Sequence, residues 1–404
     1  MESVDGTVVD DVCVGPQVDD RVLPHVPWRD GFNLPPRASY ELDPSLPSGI
    51  YSVHGIPFVH RGREAAIAVL IPSNTATAFN RIGGRNFYES PPAVQAGDVL
   101  SFHRPVQSFG WMFRSVMQCE GFLRWFASAN PHPRDTTYLI DSDLEDPDAL
   151  DGIEVLIVIG RSEYWTRRAR EHFDAFVDRG GRALLLCSEL MYWQVRIDLA
   201  RHQLIRYLQD DPHPDPLLHT KQWHEPSLQY PVHPRTGGEL RYGGYDVGDD
   251  EEFGRKGLRI VSPDSPLVEG CGLAEGDVLR LPDASVWDGA PVRSDGGGIP
   301  EVDFGDEQPL HHEVIGYNRG RPPIREFGES ATSLWIALRH RQESGTVVHC
   351  GTLGWCGPQA AGGNGPDSER IQAIILRMLS VLLEDDWPFS WKHLAKPEST
   401  PDHT

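Results

Sequence analysis

The sequence predicts an α/β protein with a mostly parallel sheet, and two features support this prediction. The apolar runs AAIAVLI (65–71) and EVLIVI (154–159) do not alternate with polar residues, which is typical of strands buried on both faces. An amphipathic segment follows the second run and leads to a third, RALLLCS (182–188). A strand, a helix and a strand in this order form a right-handed βαβ unit, in which the two strands are parallel.

The other segments extend this pattern along the chain. Residues 111–129 have apolar side chains near helical spacing, and TTYLIDSD (136–143) reads as a strand. The best-defined helix covers 165–180 and stops at a glycine pair. SLWIALRHR and GTVVHCG predict a hairpin, and SERIQAIILRMLSVLL (368–383) predicts a last helix.

Composition divides the chain into an extended arm (1–47), a first part of the α/β core (48–208), an insertion (209–330), a second part of the core (331–386) and a polar tail (387–404). The insertion is dense in Pro, Gly, His and Asp. Long insertions in α/β domains usually cover the functional site, so we expect this segment to lie over it.

The charge balance restricts the partners. With 37 basic and 59 acidic residues the formal net charge is −22, which disfavours nucleic acid and anionic membranes. No apolar run approaches the roughly 20 residues that a bilayer span needs. The six scattered cysteines and the start MESVDGTVVDDVC, which lacks the features of a secretory signal, predict a cytoplasmic protein. We expect a small-molecule substrate, and homo-oligomers are compatible with the sequence.

Two glutamates follow neighbouring strands at the edge of the sheet where ligands bind. Glu163 comes after the strand 154–159 and Glu189 after the strand 182–188, and each has a Tyr-Trp pair close behind it. Spacing alone also fits glutamates in the first turn of a helix, where the helix dipole stabilises them. Their places on adjacent strand ends favour one shared cleft.

Two other candidate sites have ordinary explanations. Cys187 lies at a strand-to-helix junction, a position of nucleophilic thiols, but no glycine flanks it as in a nucleophile elbow. A small buried hydrophobic residue explains this cysteine better. His311 and His312 are adjacent and face opposite sides of a strand, so they do not form a metal pair.

The most specific pattern lies within 153–198, in IGRSEYWTRRAREHFDAFVDRGG and LLLCSELMYWQVRID. SGIYSV, TATAFNRIGGRNFYES, VLSFHRP, EGFLRWF and GTLGWCG precede or follow it in a consistent order. Together these segments, spread over roughly 48–383, resemble the catalytic half of the N,N-dimethylformamidase large subunit. The resemblance implies an open, doubly wound core similar to class I glutamine amidotransferases. It also implies a mononuclear iron held by two tyrosines and one glutamate, and hydrolysis of a small N-substituted amide.

Carried over by motif, the glutamate ligand falls on Glu163 and one tyrosine ligand on Tyr51. The other falls in TATAFN, where this chain has Phe79, and a phenylalanine cannot bind a metal. Tyr88 replaces it only if its loop folds back, and zinc stays an alternative to iron if the second tyrosine is absent. Phenolate and carboxylate oxygens suit a hard ion that polarises a carbonyl or activates water.

Three further positions differ from the family pattern. Arg161 stands in place of a histidine, Glu189 in place of an asparagine, and Asn318 in place of a glutamate. An arginine does not shuttle protons near neutral pH, but it binds an anionic substrate group or an oxyanion. Glu189 is a candidate general base or a replacement metal ligand, and in either role it would supply the carboxylate lost at Asn318.

The leading hypothesis is therefore a metal-dependent hydrolase that acts on a C–N bond of a small, anionic molecule. Two alternatives remain open. One is a metal-independent amidase or amidotransferase-like enzyme with Cys187 as nucleophile. The other is a binding or assembly subunit that has lost the metal through Phe79.

Overall fold

The computed structural model describes residues 1–10, 26–32, 41–62, 64–88, 95–106, 108–245, 257–293, 299–320 and 331–384. The tail predicted over 387–404 lies outside these residues, and so do positions 11–25 and 33–40 of the predicted arm.

The helices of the described residues are α1 (Pro27–Asp30), α2 (Ser73–Phe79), α3 (Glu120–Ala129), α4 (Arg167–Asp178), α5 (His233–Thr236) and α6 (Ser368–Glu384). The strands are β1 (Glu2–Ser3), β2 (Gly49–Val53), β3 (Ile56–His60), β4 (Ile67–Ile71), β5 (Arg85–Asn86), β6 (Gln95–Ala96), β7 (Val99–Ser101), β8 (Thr136–Ile140), β9 (Val155–Arg161), β10 (Tyr164–Thr166), β11 (Arg182–Ser188), β12 (Trp193–Asp198), β13 (Gln203–Ile205), β14 (Glu239–Tyr245), β15 (Gly257–Ile260), β16 (Val278–Arg280), β17 (Val286–Gly289), β18 (His311–Gly320), β19 (Ala331–Arg339) and β20 (Val347–His349).

Five parallel strands form one half of the largest sheet, in the order β8-β4-β9-β11-β20. Numbered along the chain, this is the order 2-1-3-4-5 of flavodoxin-like sheets, in which the winding direction reverses between the first and third strands. That reversal lies between β4 and β9. Ligands of such sheets bind beyond the carboxyl ends of the strands at this point.

Helices cover both faces of the parallel strands, which explains their continuous apolar sequences. α3 and α6 pack on one face in a core that includes Ile157 and Leu184. α4 packs on the other face in a core that includes Leu156 and Leu185. The α/β class predicted from the sequence is confirmed.

The helix predicted over 165–180 is observed as α4. It begins after Thr166, whose Oγ1 accepts a hydrogen bond from the backbone N–H of Ala169. It ends before a glycine pair, as predicted. A Cβ on Gly181 would lie 2.3 Å from the Phe176 ring, so the chain can turn back toward β11 here only with a glycine.

The sheet is mixed, and the prediction of a mostly parallel sheet was wrong. β19 and β20 form the predicted antiparallel hairpin. β14 to β18, all within 209–330, continue the sheet with antiparallel pairs. The ten residues between β18 and β19 are too few for the crossover connection that a parallel pair needs.

The single helix predicted over 111–129 is interrupted. A π-helical turn covers Trp111–Val116, and α3 begins only at Glu120. The break lets the chain pack against the end of β9: the backbone N–H of Arg161 donates to the Met117 carbonyl at 2.8 Å. A Cβ on Gly160 would lie 2.2 Å from that carbonyl oxygen, so this close contact requires a glycine.

None of the helices in the described part of the chain has the length and apolar character that a membrane crossing requires.

Candidate functional site

Glu163 lies between β9 and β10, at the point where the sheet order reverses, and it is buried. Its backbone N–H donates to Oγ1 of Thr75 in α2 at 3.1 Å. Its carbonyl accepts from the backbone N–H of Trp193 at 3.0 Å. Hydrogen bonds to α2 and β12 therefore fix the backbone that carries this carboxylate.

Two tyrosine hydroxyl groups meet at the Glu163 carboxylate. The Tyr88 hydroxyl donates to Oε1 of Glu163 at 2.6 Å and also hydrogen-bonds the Tyr164 hydroxyl. Oε2 of Glu163 is buried and has no hydrogen-bond partner among the described residues. Burial raises the pKa of Glu163, although the Tyr88 hydrogen bond and the charge of Arg161 oppose this shift.

The segment after Phe79 folds back, as the replacement by Tyr88 would require. The rings of Phe79 and Tyr88 are 4.4 Å apart between centroids. The Arg161 guanidinium lies 5.3 Å from the Phe79 ring centre. Phe79 therefore packs against the site, while Tyr88 brings a hydroxyl group to it.

Arg161 and Glu189 form a buried ion pair. The Nε of Arg161 is 2.6 Å from Oε2 of Glu189, without the alignment of a hydrogen bond. The other oxygen accepts from the Tyr245 hydroxyl at 2.9 Å. Burial raises the pKa of Glu189 to about 7; the Arg161 charge opposes the shift and the Glu163 charge adds to it. We call Tyr88, Arg161, Glu163, Tyr164 and Glu189 the glutamate cluster.

The turn after β11 is strained at Glu189. Its φ is 54°, in the left-handed region that costs a non-glycine residue about 1–3 kcal/mol and that is enriched at functional sites. Cys187, two residues earlier, lies within β11 and is fully buried. Burial raises the pKa of its thiol well above the usual value. The strained turn thus presents Glu189, and not the thiol, at the strand end.

Arg206 adds a second buried cation beside the glutamate cluster. Its Nη1 lies 3.4 Å from the Tyr164 hydroxyl. Its guanidinium is 4.8 Å from the ring centres of Phe87 and Trp193. The positive charge lowers the pKa of Tyr164, against a larger rise caused by burial.

Tyr164, Arg206 and Tyr245 were not predicted as site residues. Tyr164 had a sequence signal, since it directly follows Glu163 at the strand end. Arg206 and Tyr245 follow no motif, and their positions depend on the pairing of β13 and β14 with distant strands.

The structure places two predicted site residues away from the glutamate cluster. The Tyr51 hydroxyl donates to the Pro47 carbonyl at 2.8 Å, in the separate sheet β1-β2-β3. Asn318 lies on β18, where its Nδ2 donates to the Gly257 carbonyl and its Oδ1 is buried without a partner among the described residues. Neither hydrogen-bonds Glu163 or Glu189 in the part of the chain that the structure describes, so their site roles stay predictions.

A comparison with protein families found a match that covers most of the chain. The model of the family "N,N-dimethylformamidase beta subunit-like, C-terminal" matches residues 24–365. The chain belongs to this family. The resemblance read from the motifs is thereby confirmed, and the matched span includes the whole glutamate cluster. A comparison with curated proteins found no match.

The glutamate cluster contains the donor types of a hard metal ion. No group of three His, Cys, Asp or Glu side chains among the described residues is arranged to hold a metal. The unpartnered Oε2 of Glu163 and the adjacent hydroxyls of Tyr88 and Tyr164 supply one carboxylate and two phenols. Oxygen donors suit hard cations, and a bound cation displaces the phenolic protons. The residues present fit such an ion.

Proposed function

We propose that this protein is a cytoplasmic, metal-dependent hydrolase that acts on a C–N bond of a small amide. Its core would be the doubly wound one of class I glutamine amidotransferases, as the family resemblance implies. One observation carries the proposal: a buried glutamate lies where the sheet order reverses, with one oxygen bound by a tyrosine and the other without a hydrogen-bond partner among the residues that the structure describes. The family assignment supports the same reaction class.

Glu163, Tyr88 and Tyr164 would hold the ion, with iron as the first candidate and zinc as the alternative. When bound, the ion supplies a Lewis acid that polarises the amide carbonyl or activates a water. The tyrosine that the resemblance assigns to Tyr51 is supplied in this proposal by Tyr164, whose hydroxyl adjoins that of Tyr88.

Glu189 would accept a proton from the attacking water. A general base works best when its pKa is near the working pH, and burial brings the pKa of Glu189 to about 7. Arg161 and Tyr245 each contact one of its two oxygens, so the carboxylate has a fixed orientation. A base that is oriented in advance loses little entropy on reaction.

Arg161 would orient the substrate. Its guanidinium is held between the Glu189 carboxylate and the Phe79 ring, and 15% of the Arg161 side chain is exposed. An anionic substrate group or the developing oxyanion could share this charge. Asn318 remains a candidate from the sequence for a further polar contact.

Metal content and hydrolysis test the proposal together. We would measure bound metal by mass spectrometry and amine release from N,N-dimethylformamide and other N-substituted amides. Glu163→Gln should lose both metal and hydrolysis. Glu154→Gln is the matched control. Glu154 precedes β9, whereas Glu163 follows it, and its side chain is half exposed beside Arg182. This variant should keep both the metal and the hydrolysis.

Two results would contradict the proposal. One is wild-type protein that hydrolyses these amides without stoichiometric metal. The other is a Glu163→Gln variant with unchanged metal content and activity. A wild-type protein with neither metal nor hydrolysis would favour the binding or assembly subunit instead.

A further inference from the structure

Asp288 is a fully buried carboxylate on β17 that contacts the turn carrying Glu189. Its Oδ1 accepts from the backbone N–H of Glu189 at 2.9 Å. Its Oδ2 accepts from the backbone N–H of Leu190 at 3.1 Å. One side chain, about a hundred positions along the chain, thus binds two consecutive backbone donors of the strained turn.

These two hydrogen bonds oppose the relaxation of Glu189. A left-handed non-glycine residue persists only where surrounding contacts over-determine its conformation. Hydrogen bonds to an ionised acceptor are roughly twice as strong as neutral ones. The backbone N–H of Asp288 donates to the Gly351 carbonyl at 2.8 Å, so Asp288 is itself fixed in the sheet.

The imidazole of His349 lies beside the Asp288 carboxylate. Its Nδ1 is 3.2 Å from the Thr236 carbonyl oxygen, which only accepts hydrogen bonds, so Nδ1 carries a proton. Its Nε2 is 3.4 Å from Oδ2 of Asp288, and both residues are fully buried.

We infer that Asp288, paired with His349, is a positioning residue that holds Glu189 in its left-handed conformation and so directs its carboxylate to Arg161 and Tyr245. This inference rests on the proposed function in that Glu189 is the general base. Asp288 itself touches only backbone atoms of the turn, and it acts through Glu189.

Replacement of Asp288 should free the turn after β11 to relax while leaving the carboxylate of Glu189 in the protein. In Asp288→Asn only one oxygen remains to accept, and the amide N–H group faces the second backbone donor. Glu189 would then move toward an ordinary φ, and its carboxylate would leave Arg161 and Tyr245. A small displacement of a catalytic group is expected to reduce the rate on the order of 100-fold.

The test compares Asp288→Asn with Asp283→Asn in the metal-loaded protein. Asp283 also accepts a backbone N–H, that of Gln359 at 2.6 Å, but it contacts no residue of the glutamate cluster. With N,N-dimethylformamide as the probe, Asp288→Asn should lower kcat on the order of 100-fold, with KM within about twofold and bound metal unchanged. Asp283→Asn should keep the wild-type kcat. Equal kcat values in the two variants would overturn the inference.

Crystal structures keep the test independent of the reaction. If the wild type does not hydrolyse the probe, the proposed function fails, but the φ of Glu189 can still be compared between wild type and Asp288→Asn. A φ that leaves the left-handed region supports the positioning role, and an unchanged φ refutes it. If Asp288→Asn does not fold, His349→Gln provides the same comparison, since it removes the imidazole beside the Asp288 carboxylate and leaves Asp288 in place.

Discussion

The hydroxyl of Tyr88 donates a 2.6 Å hydrogen bond to the carboxylate of Glu163, 75 positions along the chain. Phe79 stands where the resemblance places a tyrosine, and this contact shows that a phenol is still present at the site. The Phe79 ring packs against the Tyr88 ring, so the phenol that is missing at one position reaches the site from another. In the proposed site, Tyr88 therefore supplies the phenol that Phe79 cannot.

Two tyrosines are candidates for the second phenol ligand of the proposed metal site, Tyr164 and Tyr51. We expect Tyr164→Phe to lose bound metal, because the Tyr164 hydroxyl adjoins that of Tyr88. Tyr51→Phe should keep its metal, because the Tyr51 hydroxyl donates to the Pro47 carbonyl in a separate sheet. The measurements are metal content and, with iron, the visible tyrosinate-to-metal absorption band. Loss of metal in Tyr51→Phe with retention in Tyr164→Phe would restore the assignment made from the sequence.

The sequence could predict the two glutamates of the site but not the residues that orient them. Glu163 and Glu189 follow neighbouring parallel strands, whose carboxyl ends necessarily share one edge. Tyr245 and Asp288 reach Glu189 from β14 and β17. Their approach depends on long-range antiparallel pairing, which no local periodicity encodes.

The same distinction holds for the fold. The buried parallel strands and α4 are long and strongly patterned, so their sequences identify them. β15, β16 and β17 have only three or four residues each, too few to show a period. The segment 209–330 was accordingly predicted as an insertion with only short candidate strands, and it contributes β14 to β18 to the sheet.

Replacing one partner of the Arg161–Glu189 ion pair should lower the free energy of unfolding much more than replacing both partners. Arg161→Met leaves a buried carboxylate without its cation, which typically destabilises a protein by about 3–5 kcal/mol. We expect this loss in the free energy of unfolding by urea at about pH 8, above the pKa of Glu189 of about 7. The double variant Arg161→Met/Glu189→Gln should recover most of it, since neither charge remains.

An exposed ion pair serves as the control for this cycle. Arg293 and Asp303 are 3.0 Å apart with side chains about half exposed, so Arg293→Met should cost less than about 1 kcal/mol. If Arg161→Met is equally mild, the Arg161–Glu189 pair does not neutralise a buried charge.

Cys187 should be chemically inert in the native protein. It is fully buried in β11, and burial raises the pKa of its thiol, so little thiolate exists at neutral pH. We expect no modification of Cys187 by iodoacetamide under native conditions, measured by peptide mass spectrometry. Cys271, which is partly exposed, is the internal control and should react. Labelling of Cys187 together with loss of hydrolysis would revive the thiol mechanism.

Asp141 should make the protein less stable as the pH rises. Its carboxylate follows β8, is buried, and accepts the backbone N–H of Asn74 at 2.6 Å near the start of α2. Burial raises its pKa to about 7, against the opposing effect of the hydrogen bonds from Asn74 and Ser73. Between the unfolded value of 3.8 and this value the native state holds a proton that the unfolded chain has released. The stabilisation is therefore complete below about pH 4 and is lost as the pH rises through about 7.

Asp141→Asn removes this dependence, because the amide does not titrate and still offers an oxygen to Asn74. The variant's free energy of unfolding relative to wild type should rise between about pH 4 and pH 8, by at most about 4 kcal/mol. Urea denaturation at several pH values measures the difference. Asp43→Asn gives the control of opposite sign: Asp43 is exposed, and hydrogen bonds from Ser45 lower its pKa, so its carboxylate contributes stability that is lost on acidification. Parallel wild-type and Asp141→Asn curves across this range would show that Asp141 titrates alike in the folded and unfolded chains.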